Sequence, residues 1–202
     1  TIPDTITTIG IYAFGYCSNL TSVTIPDSIT VIDKGVFEYC TSLTSFNIPD
    51  GVTIIDSQAF QYCTSLGSIT IPDSVTNIGG NAFLNCSNLN YIRCEATTAP
   101  TIGPDWWTGS MDGAFGGVGA QSIFVPAGSV QSYLDAGDGS TYGGLTVLTY
   151  ALTFTLNGGG TEYSVTDCLA SASGSLDIPS TYRGLPVTSI GPYALQGCSG
   201  LT

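Results

Sequence analysis

Histidine is absent from this chain of 202 residues, and basic side chains are scarce, with three Lys and Arg against fifteen Asp and Glu. A nucleic-acid-binding protein neutralises phosphates with clustered Lys and Arg, so the net charge of −12 excludes that partner and a polybasic membrane anchor. The lack of histidine removes the commonest general base and the commonest metal ligand. We therefore predict no nucleic-acid partner, no cofactor and no metal site.

Two further scarcities narrow the class of protein. Charged residues make up 9% of the chain, against roughly 25% in ordinary soluble domains, so Thr, Ser, Asn and Gly must keep the surface hydrated. No apolar run is long enough to span a bilayer, and we expect no membrane insertion. No pair of carboxylates stands apart from the pattern described next, and Cys94, beside Arg93, lacks a base to activate it. The sequence therefore predicts a protein that is not an enzyme.

The chain does contain a repeat of 23 residues, most visible in Ile-Pro-Asp segments that begin at Ile2, Ile25, Ile48 and Ile71. The other recurring positions are Ile6, Ile29, Val52 and Val75; Ile9, Ile32, Ile55 and Ile78; Phe14, Phe37, Phe60 and Phe83; Cys17, Cys40, Cys63 and Cys86; Leu20, Leu43, Leu66 and Leu89; Val23, Phe46, Ile69 and Ile92. A single repeat cannot bury its apolar side, but stacked repeats can, because each recurring position becomes a column through a solenoid.

Each repeat has the pattern of a short strand and a turn. Residues 20–25 alternate apolar and polar side chains near their end, as a half-buried strand does, and Pro26 ends the strand because it has no N–H to donate. Residues 13–17 lack that alternation, and we interpret them as a short turn of helix on the opposite side. Strands of successive repeats should then be parallel neighbours about 4.8 Å apart.

These residues resemble the leucine-rich repeats of the BspA-like (Treponema pallidum type) family of bacterial cell-surface proteins. The motif that carries the resemblance runs through Cys17, Leu20, Val23, Ile25, Pro26, Ile29 and Ile32 to Phe37 and Cys40, and it covers residues 1–93 without a gap. The resemblance implies a right-handed curved solenoid, β-rich α/β, with a parallel sheet on the concave face. It also implies a secreted or cell-surface protein involved in adhesion.

Beyond Arg93 the pattern becomes irregular. From Ile71 to Val125 there are 54 residues instead of the 46 of two regular repeats, which indicates a degenerate repeat with eight extra residues. Residues 125–134 resemble the end of such arrays in gut-bacterial members of the family, which implies a short helix that closes the array. The alternation in 152–156 and 163–165 around a Gly-rich turn predicts a hairpin. We expect four regular repeats in 1–93, a degenerate repeat and C-terminal cap in 94–149, a hairpin cap and first strand of a second array in 150–187, and the start of further repeats in 188–202. Both ends fall inside repeats, so we expect a piece of a longer protein.

Three polar or aromatic columns have both a structural and a functional interpretation. The cysteine column is interpreted as a stack of small buried side chains, with disulfides or zinc as alternatives, and the pairing of Cys94 and Cys168 stays open. The aspartates after each proline fit Asx turns, with a calcium ladder as the alternative. The tyrosines at 16, 39 and 62 fit stacking between repeats, with a ligand-binding aromatic stripe as the alternative.

The concave face carries the polar residues between the strand hydrophobes. In the first three repeats these residues are small, whereas the fourth repeat contributes Tyr91 and Arg93, two residue types enriched in binding hot spots. We predict a binding site of Tyr91, Arg93, Asn47, Thr70, Trp106 and Trp107, while packing of the cap is the alternative role for the tryptophans.

The function that follows is a non-catalytic binding module, with a host or bacterial surface protein or a glycan as its partner. The alternative is a structural spacer without a ligand, for which self-association would be expected.

Overall fold

A computed structural model describes residues 2–103, 111–120, 122–126, 129–137, 139–149, 152–156, 159–168, 173–174, 178, 181–182, 185–192, 194–195 and 200–201. The chain divides into two compact units, Thr1–Thr149 and Tyr150–Thr202.

The first unit is a β-solenoid of about five turns with parallel sheets and little helix, as the repeat predicts. Its strands are β1 (Val31–Ile32), β2 (Ile54–Ile55), β3 (Ser68–Ile71), β4 (Asn77–Ile78), β5 (Tyr91–Cys94), β6 (Thr101–Ile102), β7 (Ser122–Val125), β8 (Thr141–Tyr142) and β9 (Leu145–Thr149). They form a short-strand sheet in the order β1-β2-β4-β6 and a long-strand sheet in the order β3-β5-β7-β9-β8. All pairs are parallel except β8 with β9.

The register of the strands follows the period of the sequence. Ile69 pairs with Ile92, 23 residues later, so the predicted parallel neighbours are confirmed. Ile92 pairs with Ile123, a step of 31, so this turn of the solenoid holds eight more residues than a regular one. The extra residues fall between Ile102 and Phe115, because β4 pairs with β6 at a step of only 24.

The single strand predicted for each repeat needs two corrections. A second, two-residue strand is present in the second to fourth repeats and in the irregular repeat after them. These strands form the short-strand sheet, which the spacing of the repeat does not predict. Conversely, residues 20–25 are not a regular strand. The N–H and the hydroxyl of Thr44 both donate to the Thr21 carbonyl, so hydrogen bonds still join the two repeats there.

The segment around Phe14 is a series of tight turns rather than the predicted turn of helix. The N–H groups of Ala13, Gly15 and Cys17 donate to carbonyls three residues earlier, while the N–H groups between them donate to the next repeat. Tyr12 and Tyr16 have φ angles of 56° and 63°. Left-handed backbone at these two residues interrupts the helical path, because a right-handed helix requires negative φ throughout.

The core consists of columns of identical or similar side chains. Phe37, Phe60 and Phe83 are fully buried, and neighbouring rings along the column from Phe14 to Phe115 lie 5.3–5.4 Å apart and nearly parallel. The Cys, Leu and Ile columns are equally buried in the second to fourth repeats, whereas in the first repeat Ile6 is exposed. Burial therefore depends on having a repeat on each side.

The predicted helix is present as α1 (Val130–Ala136), and a 3₁₀ helix spans Met111–Phe115. Tyr133 of α1 is fully buried, its hydroxyl donates to the Ala96 carbonyl at 2.8 Å, and its ring meets that of Tyr142 edge to face at 4.9 Å. Tyr142 in turn donates its hydroxyl to the Pro100 carbonyl. These two tyrosines fill the last turn of the solenoid with aromatic surface while their hydroxyls remain hydrogen-bonded.

The second unit contains β10 (Leu152–Leu156), β11 (Tyr163–Cys168), β12 (Ser173–Gly174), β13 (Thr181–Tyr182), β14 (Leu185–Ile190) and β15 (Gly200–Leu201). Antiparallel pairing of β10 with β11, with Leu156 opposite Tyr163, confirms the predicted hairpin, whose turn residues 157–158 lie outside the described part. β11 also pairs in parallel with β14, which begins with Leu185 and Pro186, and β12 pairs in parallel with β15.

Candidate binding face

The strand face, defined as the outward side of the long-strand sheet, is set by the alternation of its strands. Ile69 and Ile71 of β3 point into the core, so Ser68 and Thr70 point outward and are exposed. Pairing with β5 places Tyr91 beside Ser68 and Arg93 beside Thr70. Asn47, which is also exposed, lies one repeat before Thr70 in the sequence. Four of the six predicted site residues thus belong to one outward pattern.

Tyr91 is half-buried and stacks on Phe124 of β7, with ring centroids 5.0 Å apart and planes 22° from parallel. Phe124 was not singled out from the sequence, although its place between the inward Ile123 and Val125 indicates an outward side chain. Together the two rings form an aromatic step on the strand face next to the small residues of β3. Aromatic pairs of this kind supply large, rigid contact area.

Arg93 is placed differently from what its outward position suggests. It is only 3% exposed, and its Nε lies 3.5 Å from Oε1 of Glu95, which is equally buried. Strand alternation shows which way a side chain points but not what covers it, so the sequence could not reveal this burial. The ion pair explains why Arg93 can be buried, because a buried guanidinium needs an opposite charge beside it. In the sequence, Glu95 two residues after Arg93 is the feature that indicates an ionic partner for it.

Trp106 and Trp107 lie outside the described residues, so the structure places neither of them. The part of the site that the structure brings together is therefore Thr70, Tyr91 and Arg93 across β3 and β5, with Phe124 and Glu95 added. The assignment of these residues to a ligand stays a prediction.

The cysteine column is a packing feature. Cys40, Cys63 and Cys86 are fully buried, and each Sγ donates to the Phe carbonyl of the preceding repeat at 3.0–3.2 Å. Burial raises the pKa of the Cys40 thiol to about 11 and that of Cys63 still further. Such thiols are poor nucleophiles, because the thiolate is the reactive form. Cys94 is also a free, buried thiol, whereas the side chain of Cys168 lies outside the described part of the chain.

The tyrosine column shows the predicted stacking between repeats. The ring of Tyr39 lies 4.8 Å from Tyr16 and 4.4 Å from Tyr62, with planes 11° and 15° from parallel. The rings therefore cover one another's faces and present their edges and hydroxyls to solvent. A sugar stacks on an aromatic face, so the ligand-binding alternative for Tyr39 loses its physical basis.

Among the described residues, no three or more Cys, Asp or Glu side chains are grouped to hold a metal ion. Asp4, Asp27, Asp50 and Asp73 are all exposed.

The described part of the chain also contains no helix with the length and apolar character needed to cross a membrane.

Comparison with known proteins finds one family profile and two similar solved structures. A family profile described as the BspA type leucine rich repeat region matches residues 1–110 in six copies. A leucine-rich repeat protein from Bacteroides ovatus is 20% identical, with a TM-score of 0.47 over 100% of this chain and 64% of its own length. A leucine rich cell surface protein from Faecalibacterium prausnitzii is 23% identical, with a TM-score of 0.46 over 99% of this chain and 52% of its own.

This chain thus spans less than two thirds of either solved protein, and no curated protein sequence matches it. The family match covers more than half of the 202 residues and coincides with the observed repeats. The chain is a member of the BspA-type leucine-rich-repeat family.

Proposed function

We propose that this chain is a non-catalytic binding module of a bacterial surface protein, which attaches to a protein or glycan of a host or of another bacterium. The observation that carries the proposal is the strand face, where the Tyr91–Phe124 pair stands beside exposed, small polar residues. An interface of this composition has an aromatic anchor and a surrounding hydrogen-bonding surface.

Location at the cell surface is part of the same proposal. Its support is the family resemblance and the hydroxyl-rich composition with few charged residues, which suits contact with extracellular ligands. The absence of catalysis is proposed on the chemistry of the chain: it has no histidine, and the described thiols of the cysteine column from Cys40 to Cys86 are buried and protonated.

The test is a binding screen in which the chain is immobilised and matrix proteins, fibrinogen and a glycan panel are presented. Tyr91→Ala is the test variant, since Tyr91 is half-buried and anchors the aromatic step. Loss of a central aromatic contact costs about 2 kcal/mol, or a roughly 30-fold weaker Kd. Arg93→Ala is a poor probe, because it removes the buried ionic partner of Glu95 and destabilises the fold.

A matched control is Tyr16→Asn, which removes an exposed tyrosine away from the strand face. Asn is tolerated at the left-handed φ of this position, and Asn85 occupies the same column with a φ of 59°. Saturable binding that Tyr91→Ala loses and Tyr16→Asn retains would support the proposed site. Binding that both variants retain would refute the site, and no binding by the folded chain would refute the module.

The second candidate is a structural spacer, favoured by the regular stacking of the Phe and Tyr columns, which requires no ligand. A spacer should bind nothing in the screen. Its self-association would show as a concentration-dependent mass in sedimentation equilibrium.

A further inference from the structure

Tyr39 and Tyr62 form a stacked pair that has no role in the proposed binding function. Their ring centroids are 4.4 Å apart, their planes are 15° from parallel, and both side chains are half-buried and reach solvent. They occupy equivalent positions in successive repeats, and the face of one ring lies against the face of the other.

We propose that Tyr39 and Tyr62 form a site of oxidative cross-linking, in which a peroxide-dependent haem peroxidase converts the stacked pair into an intramolecular dityrosine. Each phenol loses one electron and its hydroxyl proton to give a tyrosyl radical. The two radicals join through a carbon–carbon bond between their ortho positions. Each ring then moves its ortho hydrogen to the oxygen and becomes aromatic again. One hydrogen peroxide takes up both electrons and both protons and leaves as two water molecules.

The geometry selects this reaction over the alternatives within the molecule. Radical coupling joins two ortho carbons through their π orbitals, which the stacked ring faces of Tyr39 and Tyr62 present to each other without rearrangement of the backbone. Proximity of this kind raises the rate of a bimolecular step by orders of magnitude. Tyr16 stacks on Tyr39 at 4.8 Å and offers the same reaction one repeat earlier. Coupling within the stack should therefore precede coupling between molecules in dilute solution.

The buried pair of Tyr133 and Tyr142 is an internal control. Their centroid distance of 4.9 Å is similar, but the rings meet at 67° and both side chains are fully buried. Their hydroxyls donate to the carbonyls of Ala96 and Pro100, so neither phenol is presented to an enzyme in solution. A reaction governed only by distance would link this pair too, whereas the proposed reaction does not.

The product would connect neighbouring repeats covalently on the turn side of the solenoid. At this position the repeats are joined by backbone hydrogen bonds, such as those that the N–H groups of Tyr39 and Tyr62 donate to the carbonyls of Gln61 and Leu84. A carbon–carbon link between two such repeats prevents them from separating when the end of the array frays.

The experiment treats the whole chain with horseradish peroxidase and hydrogen peroxide, after the exposed thiol of Cys17 has been alkylated because thiols reduce tyrosyl radicals. The expected product is a monomer that has lost two hydrogen atoms and shows dityrosine fluorescence. Trypsin cleaves after Lys34, so a Tyr16–Tyr39 link joins two tryptic peptides, whereas a Tyr39–Tyr62 link lies within one. Cleavage before Asp50 and Asp56 then separates Tyr39 from Tyr62 and identifies their link by mass spectrometry.

Tyr39→Asn is the decisive variant, because it leaves Tyr16 and Tyr62 two repeats apart, and it should abolish both links. Tyr12→Asn is the matched control: it removes a neighbouring tyrosine of φ 56° outside the stack, and Asn81 occupies its column with a φ of 63°. The control should cross-link as the wild type does. Links only between molecules, a Tyr133–Tyr142 link, or an undiminished yield in Tyr39→Asn would overturn the proposal.

Discussion

Replacement of Phe60 by alanine tests whether the stacked columns hold the solenoid together. Phe60 is fully buried, stacks on Phe37 at 5.4 Å and on Phe83 at 5.3 Å, and meets Phe46 edge to face at 4.9 Å. A buried Phe→Ala change costs about 3–5 kcal/mol, and each aromatic pair contributes about 0.5–1.5 kcal/mol beyond the buried area. With three ring neighbours lost, we expect Phe60→Ala to lower the free energy of unfolding by about 4–5 kcal/mol.

Phe14→Ala is the matched control for this change. Phe14 occupies the same column, but it is half-buried and has a single ring neighbour, Phe37, at 5.4 Å. Half of the transfer free energy of a Phe side chain plus one aromatic pair comes to about 2 kcal/mol. The same substitution should therefore cost about half as much in the first repeat as in the third.

The assay is urea denaturation followed by far-ultraviolet circular dichroism, with hydrogen exchange at the amides of 59–63 as a local measure. An unchanged m value would show that the midpoint difference reflects stability, which matters in a repeat protein whose ends can unfold separately. If Phe60→Ala abolishes folding, Phe60→Leu gives the same comparison with Phe14→Leu at a smaller cost. Equal losses at the two positions would refute the argument that burial by neighbouring repeats sets the contribution of a column.

Three more predictions concern particular positions. Gly35 has a φ of 61° and an added Cβ would meet the ring of Tyr12, so Gly35→Ala should lower the unfolding free energy by about 1–3 kcal/mol in urea titrations, whereas Gly67→Ala, with open space around it, should change it by less than about 0.5 kcal/mol. Burial holds the folded-state pKa of Cys63 far above the unfolded value of 9.0. The contribution of the protonated thiol to stability is therefore complete below pH 9 and decreases at higher pH by about 1.4 kcal/mol per pH unit. Cys63→Ala should flatten the fall of Tm between about pH 9 and about pH 10.5. Arg93→Ala should destabilise the first unit by about 3 kcal/mol, and Arg93→Leu with Glu95→Leu by less; a larger loss in the double variant would contradict the buried ion pair.

The sequence predicts most of the fold because an apolar residue that recurs at a fixed spacing is buried when the repeats stack and these residues form a column. The Phe, Cys and Leu columns, the parallel pairing of β3 with β5 and the hairpin of β10 with β11 all follow from spacing and alternation. What spacing cannot express is a backbone conformation: nothing in Tyr12 or Tyr16 indicates left-handed φ, a region that bulky residues avoid. The predicted helical turn was wrong for that reason.

The candidate site was predictable only in part. Alternation along the strands places Tyr91 and Thr70 on the outward side, where the structure also has them. The burial of Arg93 is a property of the tertiary structure, which alternation along a strand does not express. Phe124 could have been found by continuing the alternation into the irregular repeat.

The left-handed tyrosines have a consequence for how such an array changes over time. A lone Tyr at a φ near 60° is strained, and here the strain at Tyr39 is offset by rings on both sides. A point mutation that introduces a tyrosine into a column without one gains no such neighbour, while duplication of a tyrosine-bearing repeat places the copied ring beside the original. Where the stack ends, the column continues with Asn85 and Gly117, two residue types that adopt this φ readily. Selection on single residues therefore favours Asn or Gly in this column, and tyrosine enters or leaves it most easily through gain or loss of entire repeats.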